Sequence, residues 1–323
     1  MMSRYFILWI IGVFIFVNCS ISNPSVPPNA PNGYWNMTTI KIAYMLGMIK
    51  LIEEKFPVPD NIIEYKDIVY KKIDSTNLKL DIYHLKTKTK KEPLLIFIHG
   101  GGLTKGDKQD YLRYTVDFAQ KGYITATIQY RLADKVKFPG QLFEVKAAIK
   151  WLKRNADKYN IDSSKVALIG GSAGGHLAMM AGYTQGIKEL TNDSDTITSS
   201  RVQAVVDLYG PADFTTKYAR EHPISINMFG YTYAENPTIY KMSSPIKFIS
   251  KDDPPTLIFQ GTIDDLVPVS QSDSLTKKLK ETGVSVEYHR LEGWPHTMDI
   301  EVGVNKYCQY YMNRFFEKYI PKN

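Results

Sequence analysis

The sequence predicts a doubly wound α/β fold, a mostly parallel sheet with helices on both faces. Three observations carry this. Short, nearly continuous apolar runs at Leu94 to Ile98, Ile124 to Ile128, Val166 to Ile169, Ala204 to Leu208 and Thr256 to Phe259 read as strands buried on both faces. Segments with helical apolar spacing separate them, and no internal repeat breaks the alternation. A glycine-rich turn around Ser172 follows one of these strands, at the carboxyl edge where such sheets bind ligands.

Taken in order, residues 1–19 read as a leader. Arg4 gives a charged start, and Tyr5 to Val17 is an apolar run shorter than the roughly 20 residues of a bilayer-spanning helix. Cys19 closes that run, so residues 1–19 are expected to be a signal peptide of lipoprotein type with Cys19 as the lipidated residue. Asn18 departs from the small residue usual before such a cysteine, which leaves secretion without lipid open. The expected location is outside the cytoplasm, as a periplasmic, outer-membrane or cell-surface lipoprotein or a secreted protein. Residues 20–36, with Pro24, Pro27, Pro28 and Pro31, read as a flexible linker. Residues 37–323 form the predicted domain.

Within that domain, Ile42, Met45, Leu46, Ile49 and Ile52 recur at helical spacing. The expected helix is 38–56, packed on the domain or over the rim of its site. Alternating segments around Tyr65 to Ile73 and Leu78 to Leu85 are expected to pair antiparallel at the sheet edge. Leu142 to Tyr159 and Asp273 to Thr282 are predicted helices, the second closed by Gly283. Val284 to Leu291 is a last strand before a helix from about Val304. The stretch 211–255, rich in Tyr, Phe, Met, Asn and Pro, breaks the rhythm and reads as a small cap insertion beside the site.

Composition narrows the classes. A 323-residue chain with 44% hydrophobic and 23% charged residues is globular with ample core. The net charge of +7 is spread along the chain without basic blocks interleaved with aromatics, so no nucleic-acid partner is expected. Cys19 and Cys308 are the two cysteines, which leaves the domain without a disulfide framework and makes Cys308 a buried thiol. No cluster has metal-ligand spacing, and neither a metal nor a cofactor is expected.

The chemistry sits in Ile169-Gly170-Gly171-Ser172-Ala173-Gly174-Gly175-His176. A G-x-S-x-G turn from strand to helix holds the serine in a strained conformation, exposes its hydroxyl and puts a helix N-terminus under developing negative charge. Such a serine needs a base oriented by an acid. His296, in the loop after the last strand, is the expected base, and His289, inside that strand, the structural alternative. Asp264, after the strand that ends at Gly261, is the expected acid, with Asp265 beside it as a solvated loop carboxylate. Leu94 to Ile98 runs into His99-Gly100-Gly101-Gly102, where glycines let the backbone aim its amides. Gly101, Gly102 and Ala173 are the expected oxyanion-hole donors.

His99 to Gly102, Gly106-Asp107-Lys108, Tyr130-Arg131-Leu132, Gly170 to His176, Asp207 to Pro211 and Asp252 to Pro255 together resemble the α/β-hydrolase esterases related to hormone-sensitive lipase. More closely, they are similar to the bacterial branch that includes acetylxylan and feruloyl esterase-like carbohydrate esterases. Gly171, where lipase relatives usually carry an acid, favours that branch, and Gln260 stands where relatives often have His. The resemblance implies a serine carboxylesterase acting on acetyl or feruloyl groups of plant polysaccharide, with a small-molecule or polysaccharide ester as its partner. Lipidated Cys19 would add a membrane anchor. An arylformamidase or a prolyl-oligopeptidase-like peptidase shares the order of residues, and an inactive glycan-binding lipoprotein is the reading from another class. Phe214, Tyr218, Phe229, Tyr231 and Tyr233 are expected either to stack on substrate or to form the cap's own core.

Overall fold

The strands are β1 (Ile62–Ile73), β2 (Thr76–Leu85), β3 (Glu92–Ile98), β4 (Ile124–Ile128), β5 (Ile161–Gly171), β6 (Ala204–Leu208), β7 (Thr256–Gly261) and β8 (Val286–Leu291). In the computed structural model, which describes residues 27–53, 56–87, 90–191, 195 and 197–323, they form one sheet ordered β1-β2-β4-β3-β5-β6-β7-β8. β1 pairs antiparallel with β2 and β2 antiparallel with β4, while every pairing from β4 to β8 is parallel. The expected edge pair and parallel core are therefore both present. β3 and β5 are central, with Ile96 between Ala126 and Leu168.

Nine helices connect the strands among the described residues: α1 (Met37–Met45), α2 (Leu112–Gln120), α3 (Gly140–Arg154), α4 (Ala173–Tyr183), α5 (Lys217–Glu221), α6 (Pro223–Phe229), α7 (Pro237–Met242), α8 (Ser270–Thr282) and α9 (Val302–Tyr319). The strand period of two sorts the core into two layers. Leu94, Ile96 and Ile98 pack with Ile149 of α3, Leu177 of α4 and Leu275 of α8. Leu95 and Phe97 pack on the other face with Phe118 of α2 and Phe316 of α9. Gly283, at φ 84, ends α8 as the glycine signal implied. Cys308 lies buried in α9 as a free thiol.

The N-terminal reading needs two corrections. The helix expected over 38–56 ends at Met45. Gly47 turns the chain at φ 70, and the segment after it pairs with the start of α9 instead. Leu51 bridges Glu301, the Ile52 amide donates to Ile300 O at 2.8 Å, and the Val302 amide to Lys50 O at 2.8 Å. Of the apolar stripe, Ile49 is buried, but Ile42, Met45 and Leu46 are exposed. Tertiary pairing overrides the local pattern.

The second correction concerns the linker of 20–36, whose described part is docked. Gly33 lies so close to the 292–293 backbone that a Cβ would fall 2.1 Å from Glu292 O. The Tyr34 amide donates to Gly293 O, and the buried Trp294 indole N–H to Pro31 O, both at 2.9 Å. A buried indole must find an acceptor, and this segment supplies it. The leader and Cys19 lie outside the described residues.

Candidate active site

β5 carries Ser172 to the carboxyl edge of the sheet and α4 starts immediately after it. Ser172 has φ 56 and ψ −122, a conformation costing a non-glycine residue on the order of 1–3 kcal/mol. The surroundings enforce it. The Ser172 amide donates to Leu208 O at 2.8 Å, and the His176 amide to Ser172 O at 3.0 Å. A Cβ at Gly170 would lie 2.3 Å from Gly174 C, and one at Gly174 2.0 Å from Ile98 O, so backbone closes the turn on both sides.

Three of the expected residues form a hydrogen-bonded row. His296 Nε2 lies 2.9 Å from Ser172 Oγ, and His296 Nδ1 lies 2.7 Å from Asp264 Oδ2. Asp264 is buried, and its other oxygen accepts the amides of Leu266 at 2.9 Å and Val267 at 2.8 Å. Gln260 Nε2 adds a fourth donor, 2.9 Å from Asp264 Oδ2. With all its acceptor sites engaged the carboxylate cannot rotate, which orients the imidazole with Nδ1–H toward Asp264 and Nε2 toward the serine. Neither alternative residue is nearby in this sense. His289 stacks on Phe259 and bonds Tyr307 Oη and Glu287 at 2.8 Å each, and Asp265 is exposed.

The loop after β3 brings the residues expected as donors to the cavity that Ser172 lines. Gly100 packs under the turn, where a Cβ would sit 2.8 Å from Gly171 O. Gly101 and Gly102 follow at φ 96 and φ 61. Both line the same cavity as Ser172 and Ala173. Among the described residues, the amides of Gly101, Gly102 and Ala173 have no hydrogen-bond acceptor. Unpaired amides beside an activated hydroxyl are what a developing oxyanion requires.

The motifs flanking that loop hold it in place. His99 is buried, stacks on Tyr130 at 4.2 Å and reaches Gly100 O through Nδ1 at 3.0 Å. Burial lowers its pKa, which keeps the ring neutral. Lys108 meets the fully buried Asp81 of β2 at 2.5 Å, and Gln109 donates to the same carboxylate at 2.7 Å. Arg131 pairs with Glu144 of α3 at 2.5 Å.

Three neighbours of the site were given no role by the sequence, although Tyr209 lies within the Asp207 to Pro211 motif. The Tyr209 ring stands edge-on to His296 at 4.7 Å, and its hydroxyl donates to the buried Asp299. Burial raises the Asp299 pKa, opposed chiefly by the Tyr209 hydrogen bond. Tyr111 fills the space beside Gly171, where a Cβ would meet its Oη at 2.2 Å. Tyr209 sits at a strand end, Asp299 in a short turn and Tyr111 before α2, so no motif or local spacing links them. Only the third dimension does.

The cavity holds about 440 Å³, within the range of small-molecule sites, and its lining is mainly apolar. The cap aromatics divide. Phe229 and Tyr233 pack with Tyr240 as the cap's own core, at 4.7 and 5.3 Å, and Tyr231 is exposed. Phe214 and Tyr218 line the cavity with Ile224 and Met228. Among the described residues, no group of three His, Cys, Asp or Glu side chains is placed to hold a metal ion. No helix among them is long and apolar enough to cross a membrane.

A doubly wound sheet with a serine on this strained strand-to-helix turn is an α/β-hydrolase fold. The chain belongs to the BD-FAE family, whose model matches residues 80–279, within the α/β-hydrolase esterases related to bacterial carbohydrate esterases. It is 33% identical over 234 residues to Esterase LipC of Mycobacterium tuberculosis, covering 68% of this chain and 57% of that protein. The chain spans about half the length of the curated relatives it matches. Among solved structures, a truncated carbohydrate esterase from gut microbiota superposes with a TM-score of 0.69 at 28% identity, over 80% of this chain and 99% of that one. A bifunctional GH43-CE protein of Bacteroides eggerthii does so at 0.72 and 29% identity, over 79% of this chain and 38% of that one.

Proposed function

We propose that the protein is a serine carboxylesterase that hydrolyses acetyl or feruloyl esters on plant polysaccharide. The observation that carries the chemistry is the row from Ser172 Oγ through His296 to Asp264. Ser172 Oγ attacks the ester carbonyl carbon as its proton passes to His296 Nε2. The oxyanion is held by the amides of Gly101, Gly102 and Ala173. His296 returns the proton to the departing alkoxide as its C–O bond breaks, leaving an acyl-serine and a free alcohol. A water then gives its proton to His296 and attacks the acyl carbon. Collapse restores the Ser172 hydroxyl and releases the carboxylic acid. Asp264 accepts from Nδ1 throughout and stabilises the imidazolium without taking the proton.

The substrate reading is supported by the relatives described as carbohydrate esterases and by Phe214 and Tyr218 in the cavity wall. Residues 1–19 act as an export signal in this reading, with lipidated Cys19 holding the enzyme at the cell surface or in the periplasm. Residues 211–255 are the cap that shapes the pocket. Ser172→Ala should lower turnover of p-nitrophenyl acetate by at least about 10³-fold with the fold intact. Wild type should release acetate or ferulate from substituted xylo-oligosaccharides. Wild-type rates from the alanine variant would overturn the chemistry, and hydrolysis of aryl esters alone would overturn the substrate.

A further inference from the structure

We propose that the N-terminal arm, from Trp35 to Leu51, is a docking face for an anionic lipid surface. Apolar side chains scattered singly over a protein surface need no explanation, but a contiguous patch does. Of the twelve large hydrophobic side chains exposed among the described residues, eight lie in this one segment. Trp35 is 91% exposed, Met45 76%, Leu46 69% and Met48 67%. Ile300, which pairs with Ile52 and is itself exposed, extends the patch toward the mouth of the cavity.

Charge selects the partner. From Pro24 to Ile52 the sequence has no Asp or Glu, and its two charged residues are Lys41 and Lys50. The exposed Trp, Tyr, Met and Leu side chains with Lys41 and Lys50 among them match an interface of acyl chains and anionic headgroups, where Trp and Tyr sit at headgroup depth, while Glu53 and Glu301 stand at the far end of the arm beside Leu51. A sugar-binding face would instead be expected to present polar and acidic hydrogen-bonding groups between its aromatics.

The chain upstream supplies proximity. Tyr5 to Val17 is an apolar run, and Cys19 follows it. Sixteen residues, Cys19 excluded, lead from there to Trp35, a reach of at most about 55 Å. An anchor at either point holds the patch near the bilayer, and docking would orient the cavity mouth beside the surface. The inference does not depend on which ester is cleaved.

Hydroxyl-radical footprinting of the full chain tests it, free in solution and on vesicles of phosphatidylcholine with phosphatidylglycerol. Oxidation of Trp35, Met45 and Met48 should fall at least about fivefold on vesicles, while that of Tyr231, exposed on the cap, stays unchanged. The Met45→Glu, Leu46→Glu, Met48→Glu variant should keep its turnover of a soluble ester and lose the protection of Trp35. Unchanged oxidation on vesicle-bound protein would overturn the proposal. So would protection that appears without vesicles as protein concentration rises, the sign of a second copy. Protection on covalent occupancy of Ser172 would equally overturn it, because the arm would then close over the site.

Discussion

At the scale of single residues, the site rests on positions where a side chain is excluded. Gly170 and Gly174 leave no room for a Cβ, and both exclusions are legible in the G-x-S-x-G spacing. Gly171 is different. The sequence marks it only as a departure from lipase relatives, whereas the structure gives it a cause in the Tyr111 and Tyr209 hydroxyls, 2.2 and 3.0 Å from a built Cβ. Tyr111 is buried and stacks on Phe97, so its ring must give up that packing to admit a methyl group. Gly171→Ala should therefore cost about 1–3 kcal/mol of stability and lower ester turnover, read from denaturant midpoints and initial rates. Gln260 carries a second lesson. It looks peripheral in sequence, yet it donates to Asp264 and is itself held by Ser272 at 3.0 Å. That role depends on a carboxylate four positions later folding back over the strand end, which no local pattern encodes.

At the scale of elements, strands and long helices follow hydrophobic period, and departures occur where pairing partners are distant. The 38–56 stripe has helical spacing, but its second half pairs with residues 300–302, far beyond any local window. The cap was legible as an irregular insertion, not as the set of short helices α5, α6 and α7. What ties it to α4 is His176, fully buried, with Nε2 donating to Ser243 O at 2.7 Å. Burial pushes the His176 pKa down to about 4 from 6.5. Between those values the unfolded chain binds a proton that the folded chain refuses. The contribution to stability is thus complete above pH 6.5 and is lost as pH falls toward 4, by about 3 kcal/mol. His176→Leu removes this dependence. The stability difference between wild type and variant should narrow or reverse as pH drops through that window, and a difference constant with pH would contradict the burial of a neutral imidazole.

At the scale of the whole molecule, the parallel sheet brings the ends of β3, β5 and β7 to one edge, so the glycine loop, the serine turn and the acid loop converge there. That convergence was legible from strand order and motif order together, because the fold fixes where each strand ends. The tyrosine and Asp299 surroundings were not, since they come from the turn before α2, the end of β6 and the turn before α9. The central claim is that this convergence makes Ser172 the nucleophile. A fluorophosphonate probe tests it most directly, with the labelled residue located by tandem mass spectrometry. The account predicts one adduct, on Ser172, that is lost in Ser172→Ala and slowed by at least about 10²-fold in folded His296→Ala. An unlabelled protein, or an adduct on another residue that persists in Ser172→Ala, would contradict it.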